Sequence, residues 1–91
     1  MELKDTVKGM ESGDYKERFI AEYDQLTIRL YKLQTMIEDI LEGKLDFAPE
    51  TPFDVLIEQE VFMRHYLMVL KLRAQFEGIA VAEYPPKEKE G

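Results

Sequence analysis

The sequence has 91 residues, of which 45% are hydrophobic and 34% charged, and it contains no cysteine. This composition is too apolar for a disordered chain, and the absence of cysteine excludes disulfides and thiolate zinc sites. The net charge of −7 argues against duplex nucleic acid as a partner, because that binding depends on neutralising phosphates with Lys and Arg.

The first residues predict a short amphipathic helix at about residues 2–10. Leu3, Val7 and Met10 recur at helical spacing before Gly13 interrupts the pattern. A helix of one or two turns is not stable alone in water, so we expect it to dock on the rest of the domain.

The second predicted helix is long and spans about residues 14–42. Asp14 is a typical N-cap with Glu17 three residues later, and Gly43 is a typical C-terminal stop. Apolar residues recur within it at alternating steps of four and three, the spacing of a helix that packs one narrow stripe against a partner. They are Phe19, Tyr23, Leu26, Leu30, Leu33, Ile37 and Ile40.

The third predicted helix spans about residues 52–77, after a proline-containing connection that lets the chain turn back. Its apolar residues cover much more than one stripe, so one antiparallel partner helix cannot bury them all. We therefore predict an all-α fold, an antiparallel two-helix hairpin with a short N-terminal helix, assembled as a homo-oligomer. The predicted oligomer interface consists of Phe62, Tyr66, Leu67, Val69 and Leu70.

The end of the sequence predicts a flexible charged tail over residues 80–91, after a single helical domain over residues 1–79. Tyr84 is followed by two prolines and then by alternating charges, which have no core to join. The uncharged runs of the whole chain are too short to span a bilayer, so we expect a cytoplasmic protein without a membrane partner.

The sequence lacks the residue sets that catalysis and metal binding require. His65 is the single histidine, and the residue three positions before it is Phe62, so the Glu-x-x-His pattern of a metal-binding bundle is missing. We also find no nucleophile with a base partner and no glycine-rich phosphate loop. We predict a protein without catalytic activity, metal or cofactor.

Several polar residues are candidates for a binding site. The heptad phase of the third helix predicts core-facing positions for Gln59 and Arg73, where they either specify the register or line a cavity. Tyr15 and Arg18 lie in the first turn of the long helix, where free N–H groups and the helix dipole favour an anion. Tyr15 either stacks on a base there or packs on Phe19.

The order of these residues resembles a family of small phage proteins. The pattern extends over about residues 14–79 and is similar to the helical hairpins related to the anti-CBASS cyclic-oligonucleotide sponges. The residues that carry it are Tyr15, Arg18, Glu22, Leu26, Arg29, Leu30, Lys32, Leu33 and Ile37, followed by Gln59, Met63, Tyr66, Leu67, Leu70 and Arg73.

The resemblance implies a compact homo-hexamer that sequesters cyclic di- or trinucleotide messengers in the host cytoplasm, with ligands bound between protomers. It implies that Tyr15 stacks on a base, with Arg18 beside it, and that Arg29 or Lys32 contacts phosphate. Arg73 matches a basic position that could serve a separate trinucleotide pocket. The alternative is a helical oligomer that binds a host protein through exposed apolar residues and so inhibits another defence.

Overall fold

The fold is all-helical, as predicted. The computed structural model describes residues 1–85, which contain no β-strand. A short 3-10 helix, Leu3–Thr6, continues into α1, Val7–Met10, and two long helices follow, α2 over Tyr15–Leu41 and α3 over Phe53–Glu77. Within this part of the chain no helix is both long and apolar enough to cross a membrane.

α2 has the predicted caps at both ends, whereas α3 begins after Pro52, which makes no side-chain capping hydrogen bond. The Asp14 side chain accepts hydrogen bonds from the backbone N–H groups of Lys16 and Glu17, at 2.7 and 3.2 Å. Gly43 and Gly78 adopt positive φ angles of 69° and 68° just after α2 and α3, a conformation that glycine reaches without a Cβ clash. The observed bounds differ from the predicted ones by one residue.

The core lies between α2 and α3, and it confirms five of the seven predicted α2 positions. The remaining two positions, Leu33 and Ile40, are half-buried. The buried α2 residues of the predicted stripe are Phe19, Tyr23, Leu26, Leu30 and Ile37, and they face Leu56, Leu67, Leu70 and Ala74 of α3.

The predicted phase of α3, which placed Gln59 and Arg73 in the core, is wrong at both positions. Gln59, Tyr66 and Arg73 are exposed, whereas Leu67 and Ala74, one residue further along, are buried. A helix with apolar residues around most of its circumference does not indicate which stripe faces its partner, and this is the cause of the error.

This phase also corrects two of the predicted oligomer contacts. Leu67 and Leu70 are only 3% and 1% exposed because they pack against α2 within one chain, so they are not available to a second copy. Phe62, Tyr66 and Val69 do lie on the outer surface of α3, with exposures of 66%, 43% and 40%.

The N-terminal segment docks on α2 through a close backbone approach. A Cβ atom placed on Gly9 would lie 2.8 Å from the Cβ of Ala21, so only glycine allows this spacing. Thr6 is buried beside it, and the Gln25 amide donates to the Thr6 hydroxyl at 3.4 Å. The segment therefore packs as predicted, against the side of α2 that faces away from α3.

The prediction of a solvated tail from residue 80 is wrong for residues 80–85. Gly78 turns the chain, Ile79 enters the core, and Val81 and Tyr84 pack against it. We call residues 79–85 the C-terminal strap. These three apolar residues stand among charged residues and prolines, so the overall composition of the tail did not indicate that they contact the core. The rest of the predicted tail, residues 86–91, lies outside the described residues.

Candidate functional site

The hairpin has two long edges where α2 meets α3, and the C-terminal strap closes one of them. On this closed edge the Tyr23 hydroxyl donates to the Ala82 carbonyl and the Tyr84 hydroxyl donates to the Gln34 amide oxygen, both at 2.6 Å. The Lys71 ammonium donates to the Tyr84 carbonyl at 2.9 Å. The strap therefore occupies this edge and leaves the other one free.

We call the other side of the contact the open edge, and its side chains are aromatic or charged. Helical periodicity puts each set on the same side of its helix, and hydrogen bonds join the two helices there. The open edge is formed by Tyr15, Phe19 and Glu22 of α2 and by Tyr66, Arg73 and Glu77 of α3.

Tyr15 is the best-fixed side chain of the open edge. Its hydroxyl donates to the Glu77 carboxylate and accepts from the Arg73 guanidinium, each at 2.7 Å. The guanidinium carbon of Arg73 lies 5.1 Å from the centroid of the Phe19 ring, which is within cation–π distance. Tyr15 nevertheless remains 47% exposed, so its ring is both oriented and accessible.

The Tyr15 phenol is kept protonated by its surroundings. The hydrogen bond to Glu77 is the main cause that raises the pKa of Tyr15, and the Arg73 charge opposes it. A neutral phenol is needed here because the hydroxyl must donate to one partner while it accepts from the other. At neutral pH the three groups therefore keep one defined arrangement.

A second tyrosine anchors the same edge about two helical turns further along the hairpin. The Tyr66 hydroxyl donates to the Glu22 carboxylate. This hydrogen bond is the main cause that raises the pKa of Tyr66, followed by partial burial. The open edge thus repeats a tyrosine–carboxylate pair across the helix contact.

The structure brings together Tyr15 and Arg73, which the sequence analysis assigned to separate pockets. It does not support an anion-binding site at the start of α2. The first free N–H groups of α2 already donate to the Asp14 carboxylate. Arg18 donates from Nη1 to the Ser12 carbonyl at 3.0 Å, on the same turn as Tyr15. A carboxylate cap takes the position that an anionic ligand would need.

Arg29 and Lys32 are exposed further along α2. At 1.5 Å per residue they lie about 21 and 25 Å along the helix axis from Tyr15. Both share an exposed stripe with Arg18. Arg29 lies about three helical turns after Arg18, and Lys32 lies about one turn after Arg29. Within one chain, therefore, these two cations do not reach the Tyr15 ring.

Comparison with known families assigns the chain to a family. A family model described as Sequestin matches residues 13–76, which is more than half of the chain. The chain belongs to the Sequestin family. The match confirms the prediction, made from the sequence pattern, that the chain belongs to a family of small phage sponge proteins. No curated protein and no solved structure matches the chain.

The Sequestin match contains the open edge except for Glu77, and it excludes both packing segments. The N-terminal segment and the C-terminal strap lie before and after the matched residues. A concavity of about 660 Å³ is lined by Lys71, Gln75 and Glu83 on the closed edge, away from Tyr15. The matched residues include Lys71 and Gln75 of that concavity, whereas its strap residues, such as Glu83, lie outside the match.

Sequence reasoning missed one open-edge residue of this Sequestin-family protein, Glu77, and the contact that another, Glu22, makes with Tyr66. Glu77 lies four residues after Arg73, and that spacing on a helix is the signal of an ion pair. Glu22 carries no such local signal, because its partner Tyr66 is distant in the sequence. Among residues 1–85 no group of three His, Cys, Asp or Glu side chains is placed to hold a metal ion.

Proposed function

We propose that this protein sequesters cyclic di- or trinucleotide second messengers in the cytoplasm of a phage-infected cell and thereby blocks CBASS-type signalling. Binding alone accounts for such an activity, so no catalytic step is needed. The Sequestin match over the open edge, where the Tyr15 ring is fixed and half exposed, is the observation that supports the proposal.

Tyr15 is the proposed stacking platform for a base. Stacking of a base on an aromatic ring contributes about 1–3 kcal/mol. Because Arg73 and Glu77 already hold the phenol, little side-chain entropy is lost when a base covers the exposed ring face. The pre-formed contacts therefore favour affinity.

Arg73 is proposed mainly to position Tyr15. Its guanidinium donates to Tyr15 and to Glu77 and lies over Phe19. A guanidinium has five N–H donors, so others remain for a phosphate or for a second, trinucleotide pocket.

Arg29 and Lys32, with Arg18 on the same stripe, are the proposed phosphate contacts. Their distance along α2 from Tyr15 means that a ligand touching both sets lies between protomers. We therefore propose a homo-oligomer, a hexamer as the family resemblance implies, in which Phe62, Tyr66 and Val69 contribute to the interface. A net charge of −7 does not oppose this, because a small pocket needs only a few convergent cations.

Calorimetric titration with a panel of cyclic di- and trinucleotides, together with the mass in solution of the same sample, tests the proposal. Linear dinucleotides of the same bases are the ligand control. We expect saturable heat from at least one cyclic ligand and none from its linear form. An oligomer that gives no heat with any cyclic nucleotide contradicts the proposal.

Two tyrosines of α2 provide a matched pair for the stacking role. Tyr15→Ala is expected to weaken binding roughly 10- to 100-fold, by the loss of about 1–3 kcal/mol of stacking. Tyr31→Ala, at a tyrosine that is 54% exposed on the same helix, is expected to leave the affinity unchanged. Equal affinities in both variants would exclude Tyr15 as the platform.

A host protein as the ligand is the second candidate function. The outer surface of α3 carries Val61, Met68 and Leu72, each at least 44% exposed, and exposed apolar groups of this kind are common at protein interfaces. This candidate predicts no nucleotide affinity and a host partner whose binding is lost in Met68→Asp.

A further inference from the structure

The outer surface of α3 carries an apolar stripe of strict seven-residue spacing. Val55, Phe62, Val69 and Phe76 are 47%, 66%, 40% and 89% exposed. Residues seven apart lie on nearly the same line of a helix, the arrangement of one helix that packs along another. We call these four residues the outer stripe, and no segment of residues 1–85 covers it.

The order of side chains in the outer stripe is symmetric about its midpoint, between His65 and Tyr66. Each phenylalanine has a valine at the same distance on the other side. If two copies of α3 pair antiparallel about this point, Phe62 faces Val69 and Phe76 faces Val55 of the other copy. A parallel pair would place phenylalanine against phenylalanine and valine against valine, which fills the contact less evenly.

The charges beside the stripe favour the same direction. Glu58 follows Val55 by one turn, and Arg73 precedes Phe76 by one turn. An antiparallel pair brings Glu58 of one copy towards Arg73 of the other, whereas a parallel pair brings like charges together, which is unfavourable. Antiparallel helix dipoles add to this preference.

We propose that α3 pairs with α3 of a second copy in antiparallel orientation, about a two-fold axis beside His65 and Tyr66. The pairing places Val55 and Glu58 of the second copy next to the Tyr15–Arg73–Glu77 contacts of the first. The open edge then gains a second wall, which a single chain does not provide. The inference rests on the homo-oligomer of the proposed function and specifies which helix faces meet.

Engineered cysteines test the pairing cleanly because the native chain has none. Val55→Cys and Phe76→Cys are prepared separately, and each is oxidised alone and after refolding of an equal mixture. The antiparallel pair predicts a disulfide-linked dimer in the mixture, roughly tenfold more abundant than in either variant alone, since a disulfide forms only where the Cβ atoms meet.

Two results would overturn the pairing. Cross-linking of each variant with itself would show a parallel pair. An absence of cross-links in the mixture would place the interface elsewhere if the oligomer is intact, or exclude an oligomer if the mass is that of a monomer. Both positions are exposed in the chain, so the helix content of the variants, checked by circular dichroism, is expected to match the native protein.

A charge exchange provides the independent second test. Glu58→Arg and Arg73→Glu are each expected to weaken self-association several-fold, and the double variant is expected to restore it. Glu38→Arg, at an exposed α2 position outside the stripe, is the control. Additive losses in the double variant contradict the pairing. If the cysteine mixture cross-links as expected but the protein binds no nucleotide, the pairing stands and the proposed ligand is wrong.

Discussion

The two edges of the α2–α3 hairpin are stabilised by different chemistry. Hydroxyl, amide and carbonyl groups and one charged group, the Lys71 ammonium, hold the strap on the closed edge, whereas a guanidinium and two carboxylates join the helices on the open edge. Bonds that are mostly neutral, beside a buried apolar contact, suit a permanent closure. Charged groups at the surface can exchange partners with a ligand, as the binding site proposed on the open edge requires.

Removing the apolar residue that anchors the strap is expected to have the largest effect on the difference between the two edges. Ile79 is 7% exposed in the core, and Ile79→Ala is expected to lower the free energy of unfolding by about 2–5 kcal/mol. Chemical denaturation at one fixed protein concentration measures the change.

Leu41→Ala is the matched control, because Leu41 is 70% exposed and its loss is expected to change stability by less than about 0.5 kcal/mol. Nucleotide affinity should be the same in both variants. A strap variant that loses binding but not stability would show that the closed edge is the ligand site.

The docking of the N-terminal segment on α2 gives the next largest effect. Gly9→Ala forces a Cβ against Ala21, and overpacking of this kind costs about 1–3 kcal/mol. Gly13→Ala is the control, since nothing lies within 4 Å of the added Cβ. Denaturation curves of equal midpoint for the two variants would show that the segment is not docked in solution.

Two arginines of α3 sharpen the comparison at the open edge. Arg73→Gln removes the charge that orients Tyr15 and is expected to weaken ligand binding roughly tenfold, or about 1.4 kcal/mol. Arg64→Gln is its control, because Arg64 pairs with Glu60 on the other side of α3. Calorimetry distinguishes a positioning role from a purely structural one: the binding affinity of Arg73→Gln should fall while its unfolding midpoint stays near that of Arg64→Gln.

Alkaline pH is expected to have the smallest effect on stability. It distinguishes the physical causes that raise the tyrosine pKa values on the two edges. Burial raises the pKa of Tyr23 and Tyr84 on the closed edge, whereas hydrogen bonds to carboxylates raise the pKa of Tyr15 and Tyr66 on the open edge. A raised folded-state pKa stabilises the fold below the unfolded value of about 10, and this contribution is lost as pH rises through the folded value.

The measurement is stability against pH, with tyrosinate absorbance followed in the same samples. We expect stability to fall above about pH 10. Tyr84→Phe should flatten this decline, because it removes a phenol whose ionisation the closed edge opposes. A decline of equal steepness in Tyr84→Phe would mean that the strap does not contribute to it.

The sequence was sufficient for the helices and for the α2 stripe, because capping residues and a single narrow apolar pattern fix them locally. It was insufficient for α3, where apolar residues surround the helix and the true phase of Leu67 and Ala74 depends on which stripe α2 covers. The strap was missed because Ile79 and Tyr84 stand among charges and prolines. Arg73 was a candidate from the sequence, but its contact with Tyr15 is set by tertiary packing alone.

The course of the strap has a practical consequence for binding assays. Tyr84 and Pro85, the last described residues, lie on the closed edge beside the middle of α2. A biosensor surface coupled through the strap itself would therefore approach the protein from the side opposite Tyr15. Immobilisation in that orientation leaves the aromatic face directed towards the bulk solution, where an injected nucleotide can reach it.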